Sequence, residues 1–229
     1  MSQDELEIGA LSKKERRKFF KEVQAKESQK ERRKGLGLKI FLTAFVVGVI
    51  TLLGYFIFTA RPTTTTGQDS IGNLKIGDSA PEVSLPSTAG RTVSLSDFSG
   101  KNVLLYFNEG VMCAPCWKQI GTMEQKIDQF SKLNTQVLAI GVDSAKDWEP
   151  ILKAEKITTI PVLIDADRSV SGAYGVLNTA SQMHSDRPGH TFILVDQERK
   201  IRWIGDYPTM RITDEEVLNL IKQALAKET

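Results

Sequence analysis

The chain has 229 residues, of which 41% are hydrophobic and 25% charged, a composition that supports a packed core and excludes wholesale disorder. Its net charge of +2 is unevenly divided: residues 1–39 carry 12 Lys+Arg against 7 Asp+Glu, and residues 61–229 carry 18 against 21. A mildly acidic C-terminal part lacks the basic face from which nucleic-acid binders draw affinity, so no nucleic-acid partner is expected.

Residues 1–39 form a basic N-terminal segment. Ile40 to Ala60 then run for 21 residues without a charge, roughly 30 Å as a helix and enough to cross a bilayer core. A cleaved signal peptide is the rival account, but its apolar region is about 7–15 residues and ends in a small-x-small site, where Phe58 stands here. The run therefore reads as an uncleaved signal anchor in the lipid bilayer. Lys and Arg crowd the side before it, and only Arg61 follows before Lys75. By the positive-inside rule the N-terminus is cytoplasmic, and the rest of this single-pass cell-membrane protein is extracytoplasmic. Residues 61–73 (RPTTTTGQDSIGN) have no core-forming pattern and read as a flexible linker.

Residues 74–229 read as one α/β domain. Alternating stretches at Glu82–Leu85 and Thr92–Leu95 predict a hairpin. The apolar run Val103–Phe107 predicts a buried strand, and Pro115 to Leu133 a helix. Further strands are expected at Gln136–Val142 and Pro161–Ile164, with a helix over Lys146–Lys156 between them. His190–Val195 and Lys200–Trp203 read as an antiparallel pair. Thr213-Asp-Glu-Glu216 is a capping box that opens a last helix to about Lys227. Alternation of strand and helix, followed by a hairpin, predicts a mixed sheet flanked by helices.

The chemistry centres on Cys113-Ala114-Pro115-Cys116, the only two cysteines in the chain. A Cys-x-x-Cys pair between a strand and a helix reads as a dithiol/disulfide redox couple. Positions i and i+3 share a helix face, which brings the sulfurs within bonding reach. Cys113, at the helix start, gains thiolate character from the backbone N–H groups and the positive helix end, whereas Cys116 is one turn in and shielded. Cys113 is thus the attacking thiol and Cys116 the resolving one. A purely structural disulfide is a weaker account, because so short a loop removes little chain entropy. His184 and His190, the only histidines, complete a formal Cys₂His₂ set, but they lie far from the cysteines in sequence and no zinc site is assigned. No cofactor is expected.

Three blocks extend the picture: Ala80–Pro86 with Gly90–Asp97 and Lys101–Leu105, then Pro161–Asp165 with Ala173–Val176, then Thr191–Asp196. Together they resemble the redoxin domains, thioredoxin-fold proteins of the AhpC/TSA and TlpA/ResA type, across about residues 74–225. The resemblance implies a thioredoxin-like mixed sheet preceded by the transmembrane helix. It also implies a membrane-anchored thiol–disulfide oxidoreductase acting on extracytoplasmic disulfide-containing proteins. Apocytochrome c is one such partner by analogy with ResA, and a membrane electron donor is needed if the role is reductive.

Two alternatives stay open. Peroxiredoxins resemble the chain across the sheet, but their Pro-x-x-x-Thr/Ser-x-x-Cys loop finds Tyr106 and Gly110 counting back from Cys113, and Glu109 and Cys113 counting back from Cys116. Their Arg ahead of the Thr-Phe-Ile block is Gly189 here, with Arg187 nearby. Sco-type copper proteins, similar in being membrane-anchored thioredoxin folds, use two Cys and a distant His, for which His190 is the candidate. The thioredoxin pattern also expects a cis-Pro before the strand facing the dithiol. Gly189 falls at that place, with Pro188 one residue early. Arg187, Pro188, Gly189 and His190 are therefore expected to wall the site opposite Cys113, with His190 or Arg187 holding the thiolate. Trp117 is expected to shield the site, and Glu109 to relay protons to Cys116.

Overall fold

The computed structural model describes residues 67–227, together with Lys21 and the helical residues 45–49, 51 and 52. The chain divides into two units, Met1–Thr64 and Thr65–Thr229. In the first, Thr51 Oγ1 donates to the carbonyls of Val47 and Gly48, and Phe45, Val46, Val47, Val49 and Leu52 are exposed. Most of the span read over 40–60 lies outside the described residues. Among those that are described, no helix is long and apolar enough to cross a membrane.

The second unit is built on a five-stranded sheet. Its strands are β5 (Asn102–Phe107), β6 (Thr135–Gly141), β7 (Val162–Ile164), β8 (Thr191–Val195) and β9 (Ile201–Asp206), in the order β7-β6-β5-β8-β9. β5 pairs parallel with β6, and β6 with β7, whereas β8 and β9 run antiparallel. The central strand is buried along its whole length, as expected of a strand covered on both faces. Leu104 and Tyr106 point into one core with Ile120, Met123, Phe192 and Trp203. Val103, Leu105 and Phe107 point into the other with Val83, Val93 and Tyr174.

The helices are α1 (Ala114–Gln125), α2 (Ile127–Lys132), α3 (Ala145–Glu155), α4 (Ser169–Ala173) and α5 (Asp214–Ala226). The single helix expected from Pro115 to Leu133 is broken at Lys126 (φ −112°, ψ 15°). The break turns Phe130 into the core while Lys126 Nζ reaches Glu215 and Asp214 of α5. The capping box of α5 forms as read: Glu216 N donates to Thr213 Oγ1 (3.2 Å), and Thr213 N to Glu216 Oε2 (2.8 Å).

Two small hairpins precede the sheet. β3 (Ser84–Pro86) and β4 (Thr92–Ser94) fulfil the expected one. β1 (Ser70–Ile71) and β2 (Leu74–Lys75) fall partly within the segment read as a linker. Residues 67–73 instead belong to the folded unit: Ile71 is buried in the core, and Gln68 N donates to Ile204 O at 2.8 Å. One apolar residue in a Thr/Gly-rich stretch gives no periodicity, so this docking has no local signal.

Candidate active site

Cys113 is the N-cap of α1, in extended conformation (φ −96°, ψ 92°), and its sulfur accepts from Cys116 N at 3.3 Å. Pro115 sits in the first turn, where its missing N–H leaves no ladder bond unmade. Cys113 and Cys116 are joined in a disulfide across a Cα separation of 5.2 Å. Cys113 is 6% exposed and Cys116 fully buried. The Cys116 N–H and the helix end face the sulfur of Cys113, an arrangement that favours a thiolate once the disulfide is reduced.

The loop feeding the dithiol is pinned from several directions. Asn108 Oδ1 accepts from Gly110 N at 2.9 Å, and Asn108 Nδ2 donates to Ile140 O at 3.0 Å. Asp143, at the end of β6, accepts from Val111 N at 2.9 Å. Arg187 Nη1 donates to both Asp143 oxygens (2.8 and 2.9 Å) and to Glu109 O (2.8 Å). The Glu109 carboxylate is buried and accepts from Met183 N, from His184 N (3.1 Å) and from the His184 ring (3.2 Å). Arg187 and Glu109 thus staple the 183–187 loop to the segment before Cys113. Neither Arg187 nor His190 is hydrogen-bonded to Cys113.

His190 lies in the layer beneath. Tyr106 OH is 2.9 Å from its Nδ1 and 3.4 Å from Cys116 O, to which it can donate. Burial lowers the His190 pKa to about 4 and raises that of Tyr106, so both are neutral near pH 7. Tyr106 stacks on Phe192 with ring centroids 4.4 Å apart. Buried Asp206 accepts from Ser181 N and Oγ and from Thr191 Oγ1, which locks the preceding loop against the start of β8. Pro188 and Gly189 are buried in that loop, and a Cβ at Gly189 would strike Ser181 and Thr179. Trp117 is half-buried, packing on the α1-side core with Lys118 Nζ 5.8 Å from its ring centroid.

Met210 was not legible as a site residue, yet its sulfur is 3.7 Å from Cys113 Sγ, and the three sulfur residues form a small buried cluster. Beside it a cavity of about 470 Å³ opens between α1 and α5, lined in part by Pro115, Gln119, Met210, Ile212 and Asp214. Asp214 is buried, with its pKa raised by desolvation, and accepts from Gln119 Nε2 (2.6 Å) and Thr122 Oγ1 (3.1 Å).

A helix-capping dithiol on a mixed sheet of this order defines a thioredoxin-fold redox protein. The model of the AhpC/TSA family matches residues 76–204, and the chain belongs to that family. It is a redox enzyme of the thiol–disulfide oxidoreductase or thiol peroxidase kind. It is 32% identical to peroxiredoxin Bcp of Escherichia coli over 153 residues, covering 66% of this chain and 97% of that protein. It is 29% identical to the thiol-disulfide oxidoreductase ResA of Bacillus subtilis over 180 residues, 79% of this chain and 91% of that one. Among solved structures, Mycobacterium bovis AhpC shares the fold with a TM-score of 0.60 at 21% identity, covering 69% of this chain and 97% of that one.

Proposed function

We propose that the protein is a membrane-anchored, extracytoplasmic thiol–disulfide oxidoreductase that reduces or exchanges disulfides in other proteins. The observation that carries this reading is the division of labour in the dithiol, with Cys113 at the helix cap and Cys116 sealed one turn in. The Cys113 thiolate attacks a substrate disulfide, forming a mixed disulfide and releasing one substrate thiolate. Cys116, losing its proton, then attacks Cys113 Sγ and releases the second. Two electrons pass to the substrate and the Cys113–Cys116 disulfide remains. A dithiol donor in or across the membrane restores the reduced pair, and apocytochrome c is one substrate of the right chemistry.

Anchoring rests on the charge-free stretch 40–60 and its one-sided basic flank. The exposed side chains of Phe45, Val46, Val47, Val49 and Leu52 support it. Retention of the chain in alkali-washed membranes, with the domain open to external protease, tests it; release into the wash would refute it. Insulin reduction by the full chain, abolished in Cys113→Ser, tests the chemistry.

A second reading, thiol peroxidase, is favoured by the likeness to Bcp. Against it, Gly110 holds the hydroxyl position of the peroxidatic loop with φ +89°, and a Cβ there would run into Asp143. Peroxide consumption faster than insulin reduction with the same thiol donor would reverse the order of the two readings.

A further inference from the structure

Met210 is placed at a cost. Its φ of +51° lies in the left-handed region, which disfavours a side chain, yet the residue is kept 9% exposed with its thioether against the nucleophilic cysteine. The strain closes a tight turn, Met210 N donating to Tyr207 O at 2.8 Å. We propose that the reduced site is a monovalent-copper site whose ligands are Cys113 Sγ, Cys116 Sγ and Met210 Sδ.

Two thiolates and a thioether are soft ligands, the set that selects Cu(I) over harder ions. Sulfurs bound to one metal at about 2.3 Å each, with angles near 110–120°, lie ~3.8–4.0 Å apart. The Met210–Cys113 separation of 3.7 Å is already at that spacing. Breaking the disulfide frees the third sulfur, and the burial of all three residues suits an ion that needs no bound water. Zinc lacks a fourth ligand here: among the described residues no three His, Cys, Asp or Glu side chains group to hold a metal, and both ring nitrogens of His190 lie within 3.3 Å of the Tyr106 hydroxyl. The third ligand is thus Met210 rather than His190, the candidate in the Sco-type alternative. Binding displaces the two thiol protons, so affinity rises with pH. The site exists only in the dithiol state, which a donor dithiol yields as in the exchange cycle.

The test is anaerobic titration of the reduced full-length chain in detergent with Cu(I) against bicinchoninate, followed by X-ray absorption at the copper edge. One copper per chain with three sulfur neighbours is expected. Met210→Leu should leave two sulfur neighbours and weaken binding by at least about tenfold. Met210→Gly, which removes the sulfur and also relieves the positive φ, should do the same without the backbone strain. A nitrogen neighbour in the wild type, unchanged affinity in both variants, or no competition with the chelator would overturn the proposal. Insulin reduction by the same wild-type sample reports the exchange reading separately, so activity without copper uptake sinks this inference alone.

Discussion

Tyr106 and His190, 84 positions apart, meet hydroxyl to imidazole at 2.9 Å with both residues wholly buried, and the same hydroxyl reaches the carbonyl of Cys116. A neutral imidazole can donate to the hydroxyl oxygen while the hydroxyl donates to the Cys116 carbonyl, a chain of hydrogen bonds that needs no charge. Charging it would place a cation in a dry layer under the dithiol.

That cost sets a pH dependence. The folded-state pKa of His190, about 4, lies below the ordinary 6.5 because of burial. Above pH 6.5 the imidazole is neutral in both states and costs nothing. As pH falls below 6.5 the unfolded chain binds the proton first and stability drops, levelling off below pH 4 at a loss of roughly 3 kcal/mol. Asp214, its pKa raised by burial, works in the opposite sense as pH approaches the ordinary carboxylate value. Urea unfolding of wild type and of His190→Gln at pH 7, 5.5 and 4 isolates the histidine: the variant should lose less stability on acidification. Parallel curves would show that His190 does not titrate as its burial requires.

The two cysteines should separate cleanly in trapping experiments. Cys116→Ser leaves the attacking thiol without its resolver and should accumulate a mixed disulfide with substrate, seen as a mass adduct lost on reduction. Cys113→Ser should form none and turn over at the uncatalysed background. Adducts on Cys116 in the second variant would mean that the buried thiol is the nucleophile.

How much of this was legible follows from the range of each signal. The run Val103–Phe107 announces a doubly covered strand by apolarity alone, and Thr213 with Glu216 announces a helix start by local hydrogen bonding. Cys113 to Cys116 is likewise a local spacing. The parts that were missed join distant segments: Met210 meets Cys113 across 97 positions, and Arg187 meets Asp143 across 44. No periodicity marks such meetings, since they are fixed by the antiparallel return of β8 and β9 beside β5. His190 and Arg187 were expected to hold the Cys113 thiolate, but partners that only the fold supplies, Tyr106 and Asp143, take up their polar atoms.

Glu124 ties α1 to the turn before β7. Its carboxylate accepts from Thr158 N (3.0 Å), Thr159 N (2.7 Å) and Ile160 N (2.8 Å). Burial pushes its pKa up, but these bonds outweigh burial and the pKa is lowered overall. Glu124→Ala leaves the part-buried Ile160 N–H without its acceptor and returns those of Thr158 and Thr159 to water, and should cost about 1–3 kcal/mol in urea unfolding, whereas Glu124→Gln, which keeps an acceptor, should cost less. The lowered pKa makes its contribution full above about pH 4.5 and lost as pH falls through the folded value. Equal losses in the two variants would assign the effect to packing instead.

Gly110 carries the sharpest test of the peroxidase alternative. A peroxidatic loop needs a hydroxyl three residues before its cysteine, and Gly110→Thr supplies one. The backbone forbids it in two ways: φ is +89°, and the new Cβ would occupy the space of the Asp143 carboxylate, 2.9 Å from Arg187 Nη1. Displacing Asp143 frees Val111 N and takes away the carboxylate anchor of Arg187 at once. Gly110→Thr should therefore lose at least about 2 kcal/mol of stability and gain no peroxide consumption. Gly110→Ala, which adds the Cβ without the hydroxyl, should lose a similar amount, because backbone and clash set the cost. A stable Gly110→Thr protein that reduces peroxide faster than wild type would show that this loop can adopt the peroxidatic geometry after all, and the exchange reading would give way to the peroxidase one.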